Sequence, residues 1–430
     1  MAAGVLRRAT GVLLPATGGW LLAAGRSLPV IDYLSPNPDA NLSVQRWAKS
    51  AEIKTKLLRR WIFPSHICDL FSIIVNEYDT DFVTQKNHQK FRDMADLRTT
   101  YMGVELKNPI ILGASSLVED PAVIQKIERA GISAIIYRSL FEEQIHLEQI
   151  QLEDQLGEYD NRNAEMLHLF PEVRHGGAKE HLYKLEKLIS KVSIPVFASL
   201  NATYEESWED YALALEKTGI AGLELNFYDI PLDGEHSSTE IEKKQLRILS
   251  KLKSILKIPI SVKLSPFYSN PVHFISQVDN AGANGVVIFN RFFQPEINTD
   301  TEEFFYPFDL THQKDYQLSL RFAGLLYGNI GADICASRGI SDGKDVIKML
   351  LAGADSVQIV SAVYKNKASH ITGMIELLEE WMDARGYKTI NDFKGKLSMK
   401  NLKDPYAYKR AQYVDILMKS NEILKKYPMV

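Results

Sequence analysis

From Leu97 to Ala384 the chain alternates short apolar runs with longer stretches whose apolar residues recur at helical spacing. Val- and Ile-rich runs bounded by Gly, Pro or Asn predict strands, and the longer stretches predict helices. Thr99 to Asn108 reads as a hairpin turning at Met102-Gly103, after which Pro109 opens a first strand, Ile110 to Ser115. A helix from Pro121 to Ala130, closed by Gly131, leads to the strand Ser133 to Arg138. The same unit then recurs. Helix Leu182 to Val192 precedes strand Pro195 to Asn201, helix Ser207 to Lys217 precedes Gly222 to Phe227, and helix Thr239 to Leu256 precedes Ile258 to Leu264. Helix Val272 to Ala281 precedes Gly285 to Asn290, helix Leu318 to Tyr327 precedes Ala332 to Ser337, and helix Gly343 to Ala352 precedes Asp355 to Ser361. A last helix runs from about His370 to Ala384.

Eight strands, each followed by a helical pattern, predict an α/β fold, a (β/α)₈ barrel. An open doubly wound sheet needs fewer strands and a Gly-rich phosphate turn after the first, which Gly113-Ala114-Ser115-Ser116 is not. The barrel is expected over residues 97–398, with an N-terminal extension over 1–96 and a helical tail over 399–430. Phe292 to Leu310 reads as an inserted hairpin, either a lid over the barrel mouth or an ornament. The tail, with Tyr406, Tyr408, Tyr413 and Leu417, is expected to pack on the barrel exterior or at the contact of a homodimer.

Composition narrows the function little. With 430 residues, 45% hydrophobic, 24% charged and a net charge of -4, the chain is an ordinary globular one whose overall field offers nucleic acid nothing. Two cysteines, Cys68 and Cys335, make neither a disulfide framework nor a zinc cluster. His146, His168 and His175 lack metal-site spacing and read as a solvated loop, so no metal is expected. Residues 1 to 31 hold Arg7, Arg8 and Arg26 and no acidic residue, a composition that predicts mitochondrial targeting; a membrane anchor or a cytoplasmic protein are the alternatives. The basic stretch Ser43 to Ile62 reads as a solvated amphipathic helix, with membrane-surface contact as its other reading.

The chemistry is expected at the C-terminal ends of the strands, where barrels carry their sites. The polar residues there are Ser115, Arg138, Asn201, Asn226, Lys263, Asn290, Ser337 and Ser361. Lys263 stands alone among apolar residues, and a buried ammonium needs either an ion-pair partner or an electron-rich ligand. Three asparagines beside it supply donors and acceptors for a planar polar ligand such as a flavin. Ala336-Ser337-Arg338-Gly339 and Val360-Ser361 close the last two strands, where turn amides commonly hold a phosphate.

These residues resemble the flavin-dependent dihydroorotate dehydrogenases, in particular the soluble class and a dihydroorotate dehydrogenase-like group, from about Leu97 to Ser398. The resemblance rests on Asn108-Pro109 with Gly113-Ala114-Ser115, on Glu224-Leu225-Asn226, and on Ser261-Val262-Lys263-Leu264-Ser265-Pro266. Leu351-Ala352-Gly353-Ala354, Gly386-Tyr387 and Phe393-Lys394-Gly395-Lys396-Leu397 add to it. It implies an FMN-dependent oxidation of dihydroorotate to orotate in pyrimidine biosynthesis. Ala114, Ser115, Arg138, Asn201, Asn226, Lys263, Ser337, Arg338, Gly339 and Ser361 would then hold the cofactor, and Arg138, Asn226 and Asn290 the substrate.

Departures fall on the chemistry. The loop after Glu224-Leu225-Asn226 reads Phe227-Tyr228-Asp229-Ile230-Pro231, without the family's proton-accepting cysteine or serine. Asp229 or Tyr228 is left as the base beside Lys263. Arg138 replaces the soluble class's lysine, Arg338-Gly339 its Gly-Gly turn, and Val360-Ser361 its Gly-Thr turn. A flavin barrel with a different small substrate, and a non-catalytic barrel serving as a scaffold, are the competing readings.

Overall fold

A computed structural model of the chain describes residues 95–146, 176–228 and 234–428. Cys68, His168, His175, Asp229, the segment Ser43 to Ile62 and the N-terminal targeting composition lie outside the described residues. The hairpin forms as expected, with β1 (Thr99–Tyr101) antiparallel to β2 (Val104–Leu106). Eight strands then close a parallel barrel, a TIM barrel: β3 (Ile110–Leu112), β4 (Ala134–Phe141), β5 (Val196–Asn201), β6 (Gly222–Asn226), β7 (Ile260–Leu264), β8 (Gly285–Ile288), β11 (Asp333–Ala336) and β12 (Ser356–Ile359). Each pairs with its predecessor in chain order, and β12 closes the ring on β3 through Val357, Gln358 and Ile359 opposite Ile110, Ile111 and Leu112.

Helices α1 (Pro121–Arg129), α2 (Gly176–Ile189), α3 (Glu205–Glu216), α4 (Ser238–Ile255), α5 (Pro271–Asn280), α6 (Gln317–Leu326) and α7 (Gly343–Ala352) connect the strands. Their starts follow from capping chemistry. Asp120, Asn270 and Asp342 each accept a backbone N–H of their helix's first turn, and Ser237 with Glu240 forms a full capping box before α4. Gly353, with φ +124, ends α7 in a conformation that a residue with a Cβ rarely adopts, and a Cβ there would also strike the Tyr327 ring. After β12 come α8 (Ser361–Asn366) and α9 (Ser369–Arg385).

Two boundaries differ from expectation for physical reasons. The strand expected to end at Arg138 continues to Phe141, and its pairing with β5 shifts register between Ile136 and Ser139. An irregularity of this kind re-aims side chains, and Arg138 sits inside it. The helix expected from Leu182 begins six residues earlier at Gly176.

The first hairpin plugs one end of the barrel. Tyr101 and Met102 are buried against Ile111, Ala134, Ile136, Phe197, Val287 and Cys335. A Cβ on Gly222 or Gly285, the first residues of β6 and β8, would strike Met102, so the plug sits at the N-terminal ends of the strands. Cys335 is fully buried there, and burial pushes its thiol up to about 12, which leaves it a small core residue. The second hairpin, β9 (Glu296–Asn298) and β10 (Glu303–Phe305), lies between β8 and α6 and is exposed along both strands.

The tail forms α10 (Arg410–Met418) and α11 (Ser420–Lys426). Tyr408 donates its hydroxyl to the Leu397 carbonyl at 2.7 Å and leaves no room for a side chain at Gly324. Tyr413 and Leu417 are exposed, so exterior packing holds for Tyr408 and not for them. Among the described residues no helix is long and apolar enough to cross a membrane.

Candidate active site

With the N-terminal end plugged, the open end is the C-terminal one, and a cavity of about 670 Å³ occupies it. Ala114, Ser115, Arg138, Asn226, Tyr228, Lys263, Asn290, Ser337, Arg338, Gly339 and Ser361 all line it. Those residues come from seven of the eight strand ends, which is how a barrel gathers side chains remote in sequence.

Asn201 is the predicted site residue that does not reach the wall: it is buried and donates its amide to the Asn226 carbonyl at 2.7 Å. Asn226 in turn accepts from Asn290 Nδ2 at 2.5 Å, and Asn290 Oδ1 accepts the Arg291 N–H at 2.8 Å. The three asparagines therefore form a chain, with Asn201 as its prop and two members facing the cavity. Lys263 Nζ donates to Gln358 Oε1 at 3.1 Å and lies 3.4 Å from Glu224 Oε1. The ion-pair expectation for this lysine holds, and its side chain also lines the cavity.

Arg138 is less available than its position suggested. Its guanidinium pairs with Glu119 and donates to Gln144 Oε1, so much of its charge is met within the wall. Ser337 uses its amide in the ladder, donating to the Ile288 carbonyl at 2.7 Å, and its own carbonyl accepts from Ser319. Its backbone amide and carbonyl are thus used inside the barrel, while the residue lines the cavity. The Ser361 hydroxyl accepts the Thr311 N–H at 3.1 Å, and Lys365 donates to the Thr311 carbonyl at 2.7 Å. A strap downstream of the second hairpin is thus tied across the last turn.

Arg338 and Gly339 both adopt left-handed φ, +74 and +64. A non-glycine residue there carries strain that surrounding structure must hold. Burial lowers the Arg338 pKa, and Asp315 works against that shift. The Arg338 Nε is buried without a partner among the described residues, as is the Ser115 Oγ.

The pattern left several wall residues unread. Gln358 on the wall, and Glu224 buried behind Lys263, carried the same signal as that lysine, a lone polar residue in an apolar strand. Arg291, Phe293, Phe308 and Tyr364 also line the cavity, two of them supplied by the second hairpin's flanks. Tyr228 stacks on Phe292 with ring centres 4.7 Å apart, and its hydroxyl accepts the Phe293 N–H at 3.3 Å. Four cations, Arg138, Lys263, Arg291 and Arg338, face two acids, Glu119 and Asp309, so the wall favours an anionic ligand. His146 is exposed and 4.0 Å from Glu142, whose carboxylate accepts the Thr203 and Tyr204 N–H groups.

Comparison with known proteins agrees with this geometry. A family model for dihydroorotate dehydrogenase matches residues 173–382, a span that begins before β5 and runs past Ser361. Over that span the chain is similar to the dihydroorotate dehydrogenases. The catalytic subunit of the NAD(+) dihydroorotate dehydrogenase B of Methanocaldococcus jannaschii is 25% identical over 279 residues, covering 62% of this chain and 87% of that protein. Its Thermoplasma volcanium counterpart is 23% identical over 312 residues, covering 70% and 98%. The fumarate-type dihydroorotate dehydrogenase A of Lactobacillus delbrueckii is 26% identical over 222 residues, covering 50% and 71%.

Proposed function

We propose that this protein is an FMN-dependent oxidoreductase that oxidises dihydroorotate to orotate. The observation that carries the reading is Lys263, a nearly buried ammonium on the cavity wall beside Asn226 and Asn290. Two features of the wall suit FMN. The cavity lies within the usual volume range for such ligands. The unpartnered Ser115 Oγ and Arg338 Nε lack an acceptor or donor that a ligand would supply.

When bound, the flavin would accept hydride from a substrate C–H bond. Lys263 would face the edge of the ring that becomes negative, and Arg338 with the Gly339 amide would hold the phosphate. Asn226 and Asn290, held by each other and by Asn201, would orient a planar imide through paired donors and acceptors. Tyr228 is the described candidate for taking the substrate proton, with its ring fixed against Phe292, and Asp229 beside it in sequence is the other. Phe292, Phe293 and Phe308 would exclude water from this side of the mouth. A loop without cysteine or serine favours a second reading, in which the same flavin barrel oxidises a different small substrate.

The test is a visible spectrum of the full chain after incubation with FMN, followed by anaerobic dihydroorotate. Flavin bands that bleach support the first reading, and bands that persist support the second. In Lys263→Ala, flavin content or its rate of reduction should fall at least tenfold. An unchanged spectrum and rate would make the lysine structural and remove the central support of both readings.

A further inference from the structure

Behind the Lys263 ammonium lies a connection that the lysine's role alone does not require. Gln358 Nε2 donates to Glu224 Oε2 at 2.6 Å, while its carbonyl oxygen accepts from Lys263 at 3.1 Å. In the ring order β6 and β12 are four strands apart whichever way one counts, so this amide spans the barrel from one side to the other. Its orientation is set by charge: the oxygen must face the ammonium and the amide nitrogen the carboxylate. Glu224 is almost fully buried, with its other oxygen 3.4 Å from the lysine and unmatched by any hydrogen bond among the described residues.

A carboxylate so placed acts on the cavity as well as on the lysine. At this separation and in a poorly solvated interior, its field opposes that of Lys263 at any atom facing the ammonium. Gln358 pulls in the other direction. Its carbonyl dipole holds the ammonium on the cavity side, away from a closer contact ion pair with Glu224.

We infer that Glu224 and Gln358 are positioning residues that set how much of the Lys263 charge reaches the cavity, and that they thereby tune the reduction potential of the bound flavin. The inference rests on the flavin reading. Glu224→Gln keeps the shape and removes the opposing charge, so the reduced ring is favoured and the midpoint potential rises. Gln358→Leu removes the dipole and lets Lys263 close on Glu224, so the potential falls.

Opposite signs are the signature. A loss of packing in either variant would perturb the site without dictating a direction for each. The experiment is a midpoint determination by equilibration with reference dyes for FMN-loaded wild type, Glu224→Gln and Gln358→Leu. It is read beside far-ultraviolet circular dichroism, with Lys263→Met as the limit in which the positive charge is gone. The expected result is at least a tenfold shift of the oxidised-to-reduced ratio in each direction, about 30 mV for a two-electron couple. Potentials that stay at the wild-type value, or shift with the same sign in both variants, overturn the inference. Should Glu224→Gln fail to fold, Gln358→Leu against Lys263→Met decides it, since both must lower the potential. Wild type that takes up no FMN overturns the flavin reading and this inference with it, whereas normal uptake with unmoved potentials overturns the inference alone.

Discussion

The described residues include two short hairpins, one at each end of the barrel, and they solve opposite problems. β1 and β2 bury Tyr101 completely and receive the Asp333 carboxylate, which accepts the Met102 N–H at 2.7 Å. β9 and β10 leave Ile297, Phe304 and Phe305 in solvent, and only the flanks, Phe293 and Phe308, reach a cavity wall. An isolated two-stranded ribbon is marginal by itself, so each hairpin takes its order from what it touches. The first is part of the core. The second is an appendage hung from the site, and sequence patterning alone does not tell them apart because both are three-residue strands joined by a short turn.

That contrast can be broken most directly at Tyr101. Tyr101→Ala removes a fully buried ring packed edge-on to Phe197 and should cost about 3–5 kcal/mol in urea unfolding. A loss below about 1 kcal/mol would mean that the plug is no more integral than the other hairpin. A smaller effect is expected from pH at the same end. Burial, then the charge of Asp355, raises the Asp333 pKa from 3.8 to about 6, while the Met102 N–H and Lys394 oppose the rise. The folded chain therefore holds this proton more tightly than the unfolded chain. The stability gained from it is complete below pH 3.8 and lost as pH rises through about 6. Asp333→Asn keeps an acceptor for Met102 and has no proton to lose, so its melting temperature should overtake wild type between those values. A difference that stays flat across pH 4 to 7 would refute the assignment. The smallest change belongs to the other end: Phe304→Ala should stay within about 0.5 kcal/mol of wild type, and a larger loss would show that the exposed hairpin is anchored after all.

Much of the architecture was legible because a barrel repeats one local pattern. Apolar runs of the right length, Asp or Asn caps and glycine ends located all eight strands to within a few residues. The extension of β4 past Arg138 was not legible, since the register shift there depends on its pairing with β5. At the site, residues announced by a lone polar side chain in an apolar strand were found, as with Lys263. Glu224 and Gln358 gave the same signal, but what joins them is closure of the ring, which no local window contains. The spent amide of Ser337 and the prop role of Asn201 likewise come from neighbours distant in sequence. The strap from Thr311 to Ser361 and Lys365 belongs to the same class.

The seat of the first hairpin bears on how the chain is made. Met102 is fitted between residues supplied by β6 and β8, and its N–H waits for Asp333, 231 positions downstream. At roughly 5–20 residues per second, translation leaves Tyr101 and Met102 without their pocket for on the order of tens of seconds. A plug made well before its seat exposes Tyr101 and Met102 until Asp333 is made, and the nascent chain's dependence on chaperones should follow the arrival of β11, not the emergence of the hairpin itself.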